Sequence, residues 1–198
     1  MINVKEVQQI VKDIDYSNIN SEIAWQIELI IKLREKLDKS YNVIPEKSLK
    51  SKDIKKEIDI AIHENNNPKI AIELKMPQNG AYPYLMSQAI IDIEFLEKLV
   101  EEYNYQKGYF IFLTNNKPFW SSTRKKQQQL PEVYDYFRNG KKLSGKIKFP
   151  LYAKLGDNHH IKGCYKINWE NDMVDKNRRY FIIEIKRKTS SQNTTKKR

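Results

Sequence analysis

The sequence predicts an α/β fold: a central mixed sheet flanked by helices, with further strands added towards the C-terminal end. Three observations carry this reading. Two runs of alternating character, Lys56–His63 and Pro68–Lys75, flank the stretch Glu64-Asn65-Asn66-Asn67 and read as a hairpin closed by a four-residue turn. Helical patterns precede and follow that hairpin. Gly108-Tyr109-Phe110-Ile111-Phe112-Leu113 is a nearly continuous apolar run, the pattern of a central strand buried on both faces.

Taken in order, Asn3 is placed to cap a helix running to about Ile14, and Asn20 or Ser21 a second one whose Ile23, Ile27, Ile30 and Leu37 form the expected apolar stripe. Tyr41–Ile44 is a short strand. The hairpin strands follow, near Ile54–His63 and Lys69–Met76. Pro83 suits the first turn of a helix to about Tyr103, with Met86, Ile90, Ile93 and Val100 on its inner face. The apolar strand comes next, giving the series α-β-β-β-α-β. Beyond Asn115, Pro131 opens a short helix to Arg138 that Asn139-Gly140 ends, and Ile161–Trp169 and Arg179–Ile185 are expected to pair as strands. His159-His160 reads as loop, and the apolar-poor basic segment 188–198 as a disordered tail. Residues 1–187 are expected to form a single domain.

The hairpin carries the chemistry. Successive side chains alternate faces, so Glu57, Asp59 and Ala61 point one way while Ile58, Ile60 and Ile62 point into the core; on the partner strand Ala71, Glu73 and Lys75 share a face. Two carboxylates and an ammonium are thereby gathered on one side of a rigid sheet, as a metal-dependent phosphodiesterase requires. Mg²⁺, or Mn²⁺ in its place, takes oxygen ligands and keeps several waters, so one or two carboxylates plus a substrate phosphate hold it. Asp59 and Glu73 would supply the carboxylates and the backbone carbonyl of Leu74 a further oxygen. Lys75 would orient or deprotonate the attacking water, or donate to the phosphate.

Asp59, thirteen intervening residues and then Glu73-Leu74-Lys75 resembles the pattern of the PD-(D/E)XK nuclease superfamily, with Ile58 where that pattern has proline. The resemblance spans about Ser21–Thr114 and implies a restriction-endonuclease-like αβββαβ core, Mg²⁺-dependent cleavage of DNA, and a helical acid, here Glu22 in Asn20-Ser21-Glu22-Ile23, that joins the site. It leaves two rivals: a nucleic-acid-binding protein that keeps the fold without cleaving, and an RNA-processing nuclease. A second triplet, Glu184-Ile185-Lys186 with Asp175 upstream, reads as an exposed or paired strand face, because such triplets are common in a chain with 36 Lys+Arg and 25 Asp+Glu.

Charge points to the partner. The net charge is +11, yet residues 1–110 hold 15 Lys+Arg against 18 Asp+Glu and residues 111–198 hold 21 against 7. Arg124-Lys125-Lys126 and Lys141-Lys142 are the dense points, the footprint expected of contacts to a phosphate backbone, and Trp120 beside them is a candidate for stacking on bases. One site per chain would cut both strands of a duplex only as a homodimer or by successive nicks. A single cysteine, Cys164, excludes an internal disulfide and a cysteine cage for zinc, which suits a cytoplasmic protein. No apolar run approaches the roughly 20 residues of a membrane helix.

Overall fold

The computed structural model describes residues 2–49, 55–77, 82–120, 133–148, 159–170 and 178–187. Helix α1, Val4–Lys12, starts as expected at Asn3 and is closed by a reciprocal cap: Asn3 Oδ1 accepts from the Lys5 and Glu6 N–H groups, and Glu6 Oε2 accepts from Asn3 N at 2.8 Å. Helix α2, Glu22–Lys36, is capped by Ser21, whose Oγ accepts from Ala24 N at 3.1 Å.

The buried face of α2 differs from the expected stripe. Trp25, Gln26, Leu29, Ile30 and Leu33 face inward, whereas Ile23 and Ile27 are 68% and 52% exposed. The large Trp25 and Leu33 fill the layer beneath the sheet, and they rotate the helix away from the isoleucine row.

Strands β1 (Tyr41–Lys47), β2 (Ile58–Glu64), β3 (Asn67–Lys75), β4 (Lys107–Thr114) and β7 (Arg179–Lys186) form one five-stranded sheet in the order β1-β2-β3-β4-β7. Only β3 and β4 run parallel, and the connection between them is helix α3, Tyr82–Glu102. The sheet is therefore mixed, as expected, with β4 at its buried interior. The β2–β3 turn is tighter than expected. Asn65 and Asn66 both adopt positive φ, 48° and 66°, the two-residue geometry that suits the twist of a hairpin, so Glu64 and Asn67 belong to the strands. β2 begins at Ile58, later than the expected Ile54: residues 55–57 are described and lie ahead of the strand, and Ile54 lies outside the described residues.

Both faces of the sheet are core. Ile60, Ile62, Ile70, Ile72 and Leu74 pack with Tyr109 and Ile111 against α1 and α2. The opposite face is not an open polar one: Ala61, Ala71, Phe110 and Phe112 pack beneath α3. Here the register matters, because Ala61 pairs with Ala71 and Ala71 with Gly108, which lays a row of small residues across β2, β3 and β4. Helix α3 settles into that row. A Cβ on Gly108 would stand 3.2 Å from Leu96 Cβ, tighter than ordinary packing, so the glycine permits the close approach.

The C-terminal strands correct the expected pairing. β6, His159–Lys166, pairs with β5, Lys142–Ile147, in a separate two-stranded sheet, while β7 pairs with β4. His159 and His160 open β6 instead of lying in a loop. The strand is docked on α3 by acids: Glu97 accepts from Lys162 N, Gly163 N and the Tyr165 hydroxyl, and Glu94 bonds His159 Nδ1 at 2.7 Å. These carboxylates satisfy backbone donors on a strand edge that would otherwise be open. The short helix α4 covers Val133–Tyr136, inside the expected span, and the tail from residue 188 lies outside the described residues. No helix among the described residues is long and apolar enough to cross a membrane.

Candidate active site

The β2–β3 ladder runs from Glu64↔Asn67 at the turn, across a register shift between Ile62 and His63, to Ile60↔Ile72 and stops there. One position further, Asp59 and Glu73 stand opposite each other, and side chains take over the strand-to-strand bonding. Glu73 Oε1 accepts from Asp59 N at 3.3 Å, and Asp59 Oδ2 accepts from Leu74 N at 2.7 Å. The two carboxylates lie together on the α3 side of the sheet, with Lys75 two residues on. Leu74 stands between Glu73 and Lys75 in β3 with its side chain in the opposite core layer. Gln26 of α2 steadies the same corner by donating Nε2 to the Asp59 carbonyl at 2.7 Å.

Glu22 arrives from the first turn of α2. Its Oε2 accepts from Met76 N at 2.6 Å and its Oε1 lies 3.5 Å from Lys75 Nζ, so the helix start is fastened to the end of β3. The expected quartet of Asp59, Glu73, Lys75 and Glu22 is thus brought into one cluster.

Two further residues complete it. Asp92, on the sheet side of α3 and 3% exposed, lies 3.2 Å from Lys75 Nζ through Oδ2 and 2.8 Å from Lys56 Nζ through Oδ1. Lys56, just before β2, also bonds Glu73 Oε2. The signal for Asp92 was present in the helical period: it falls among Ala89, Ile93 and Leu96 on the inner face of α3, where an acid needs a partner. For Lys56 the sequence holds no comparable signal, since it precedes the strand and is one of many lysines.

Four carboxylates and two ammoniums meet here. Burial pushes the Asp59 carboxyl up to about 6, although the Leu74 N–H and Lys56 pull the other way. Glu73, 1% exposed, is raised well above the usual carboxylate range by burial, which outweighs Lys56 and is reinforced by Asp59 and Asp92. For Lys75 burial alone would lower the pKa, but the carboxylates of Asp92, Glu22 and Asp59 outweigh it and hold the ammonium firmly charged. Lys56 is raised in the same way, burial being outweighed by Glu73 and Asp92.

The donor set suits a hard divalent cation. Glu73 and Asp92 are buried while Asp59 and Glu22 are partly exposed, two negative charges exceed the ammoniums when all four acids ionise, and Glu73 already holds a cationic group. Among the described residues no three acidic, histidine or cysteine side chains converge tightly enough to enclose a metal by themselves. A cation at Asp59 and Glu73 would complete its shell with backbone oxygen, water and substrate phosphate, as Mg²⁺ ordinarily does.

The other expected contacts lie elsewhere. Lys141 and Lys142 are exposed at the start of β5. Trp120 is half-buried, 5.5 Å from the Trp169 ring with the Arg179 guanidinium over it at 5.6 Å. Arg124, Lys125 and Lys126 lie outside the described residues. Glu184 is paired at the sheet edge, 3.3 Å from Lys107 Nζ and 2.8 Å from Lys186 Nζ, and takes the Tyr109 hydroxyl at 3.2 Å. That pairing agrees with the structural reading of the second triplet.

No family model matches this chain, and no curated protein and no solved structure matches it. The functional reading therefore rests on the residues themselves.

Proposed function

We propose that this chain is a Mg²⁺- or Mn²⁺-dependent endonuclease that hydrolyses phosphodiester bonds in DNA, built on a restriction-endonuclease-like core. The observation that carries the reading is the splayed end of the β2–β3 hairpin, where Asp59 and Glu73 meet beside Lys75. The order α2-β1-β2-β3-α3-β4 and the delivery of Glu22 to the end of β3 support the same reading.

Asp59 and Glu73 would hold the cation, with the Leu74 carbonyl as a third oxygen. When bound, the cation supplies an activated water and neutralises charge on the phosphate oxygens. Lys75 is held protonated by three carboxylates, so it acts as a donor to the scissile phosphate or the attacking water and not as the proton acceptor. Glu22 and Asp92 fix the direction in which that ammonium points. The exposed Lys141 and Lys142, with the basic run at 124–126, would draw the nucleic acid to the protein.

The test is incubation of purified protein with supercoiled plasmid, linear duplex DNA and RNA, each with Mg²⁺ or with EDTA. Nicking or linearisation of DNA that EDTA stops is the expected result. Cleavage confined to RNA would redirect the substrate, and inertness on all three, with DNA still bound, would make the chain a non-cleaving binder.

A further inference from the structure

Glu73 has no free oxygen in this arrangement. Oε1 accepts the Asp59 N–H, and Oε2 carries the Lys56 ammonium, which also reaches Asp92 Oδ1 at 2.8 Å. Any cation that binds Glu73 Oε2 meets a positive charge already seated there. Lys75 differs from Lys56 in its setting. It issues from the middle of the cluster, is 16% exposed, and lies between Glu22 and Asp92. Lys56 issues from the segment ahead of β2, its side chain is 34% exposed, and its ammonium rests 4.5 Å from the centre of the Phe95 ring.

The surroundings also give Lys56 somewhere to go. It borders a surface cleft of about 430 Å³ lined in part by Lys55, Ile91, Glu94 and Phe95. An ammonium leaving Glu73 could stay over the aromatic face of Phe95 and turn outward into this cleft, whose lining also includes the acids Glu97 and Glu102 beside the cations Lys98 and Lys162. An ammonium and a divalent cation on one carboxylate oxygen repel each other strongly in a buried setting. Both cannot hold Glu73 at once without one giving way.

We propose that Lys56 is the resident counter-ion of the site, which competes with the divalent metal for Glu73 and withdraws to the Phe95 cleft when the metal binds. This rests on the metal-site reading above. It makes Lys56 a regulator of metal occupancy: the site stays closed and compensated without metal, and metal affinity is set below what the carboxylates alone would give.

The experiment measures Mn²⁺ binding to the full chain without nucleic acid, by titration calorimetry or by the magnetic resonance signal of free Mn²⁺. Lys56→Met should bind Mn²⁺ at least tenfold more tightly than the parent, Lys56→Arg should not gain, and Glu73→Gln should lose binding. A second measurement needs no variant: lysine acetylation of the parent, read by mass spectrometry, should rise several-fold at Lys56 on adding Mg²⁺ and stay unchanged at Lys75. Equal Mn²⁺ affinity in parent and Lys56→Met, or Lys56 labelling indifferent to Mg²⁺ while metal binding is measurable, would overturn the counter-ion role and leave the metal site standing. Absence of binding in parent, Lys56→Met and Glu73→Gln alike would overturn the metal site itself, and the counter-ion role with it.

Discussion

Asp59 and Glu73 replace with side-chain bonds the ladder that their strands abandon: the Glu73 carboxylate accepts the Asp59 N–H at 3.3 Å, while the Asp59 carboxylate accepts from Leu74 N at 2.7 Å. Each acid is thus positioned by the backbone of the other's strand. Replacing Asp59 by Asn or Glu73 by Gln preserves shape but removes a carboxylate that the proposed mechanism uses as a metal ligand, and on that proposal cleavage should fall by at least ~10²-fold, the scale of losing one electrostatic stabiliser. DNA binding, measured by gel shift with EDTA present, should be largely kept. Undiminished cleavage by either variant would remove that residue from the ligand set.

The elevated Asp59 carboxyl makes a prediction about stability without metal. Its pKa is about 6 in the fold, raised chiefly by burial from the ordinary aspartate range near 4, so the folded state holds a proton that the unfolded chain releases. Stability from this group is therefore fully present at acid pH and declines as pH rises from about 4 through about 6. Urea unfolding in EDTA across that window should show the decline, and Asp59→Asn should flatten it. A slope identical in parent and variant would show that Asp59 ionises freely in the fold.

The two Glu-x-Lys triplets should behave differently. Glu184 pairs with both Lys186 and Lys107 at the edge of the sheet. Glu184→Gln combined with Lys186→Ala should leave cleavage within a few-fold of the parent. Lys75→Ala should abolish turnover in a protein that still folds and binds DNA. The reverse outcome would move the site to β7.

Recognition is expected to reside largely in the C-terminal half. Neutralising Arg124, Lys125, Lys126, Lys141 and Lys142 should weaken DNA binding and reduce its salt dependence by roughly one unit of log–log slope per lost phosphate contact. An unchanged slope would place the binding face elsewhere.

Gly108 ties packing to chemistry. Valine there would push Leu96, and with it the turn of α3 that carries Asp92, away from the sheet. Overpacking of this kind costs about 1–3 kcal/mol, visible as a lower urea midpoint, and it should loosen Lys75 enough to lower the cleavage rate in the folded fraction.

What could be read from the chain followed from periodicity. The hairpin, β4 and the inner face of α3 repeat with clear spacing, and Glu73 and Lys75 share the face of Ala71 by that alternation, but the start of β2 departs from it: Ile58, expected beside Ile60 and Ile62, packs instead with Ala61 in the α3 layer where the strands splay. The phase of α2 was not legible, because Ile23 and Ile27 continue the apolar pattern at positions that tertiary packing leaves outside. Nor was the pairing of β5, whose residues Lys142-Leu143-Ser144-Gly145-Lys146-Ile147 give a weak strand signal with a glycine at φ 72°. Lys56 joins the site through distance in space alone.

The row Ala61, Ala71 and Gly108 spans three strands that come together only when the parallel crossover from β3 through α3 to β4 has closed. Asp92 rides on that crossover and Glu22 lies 36 residues before the first residue of β2, so the hairpin by itself brings Lys56 to Glu73 but not the two acids that flank Lys75. Non-local closure of this kind is slow compared with forming the helices or the Asn65-Asn66 turn. The complete cluster, with Lys75 held between Glu22 and Asp92, should accordingly form in refolding after the helical signal and together with burial of the α3 layer.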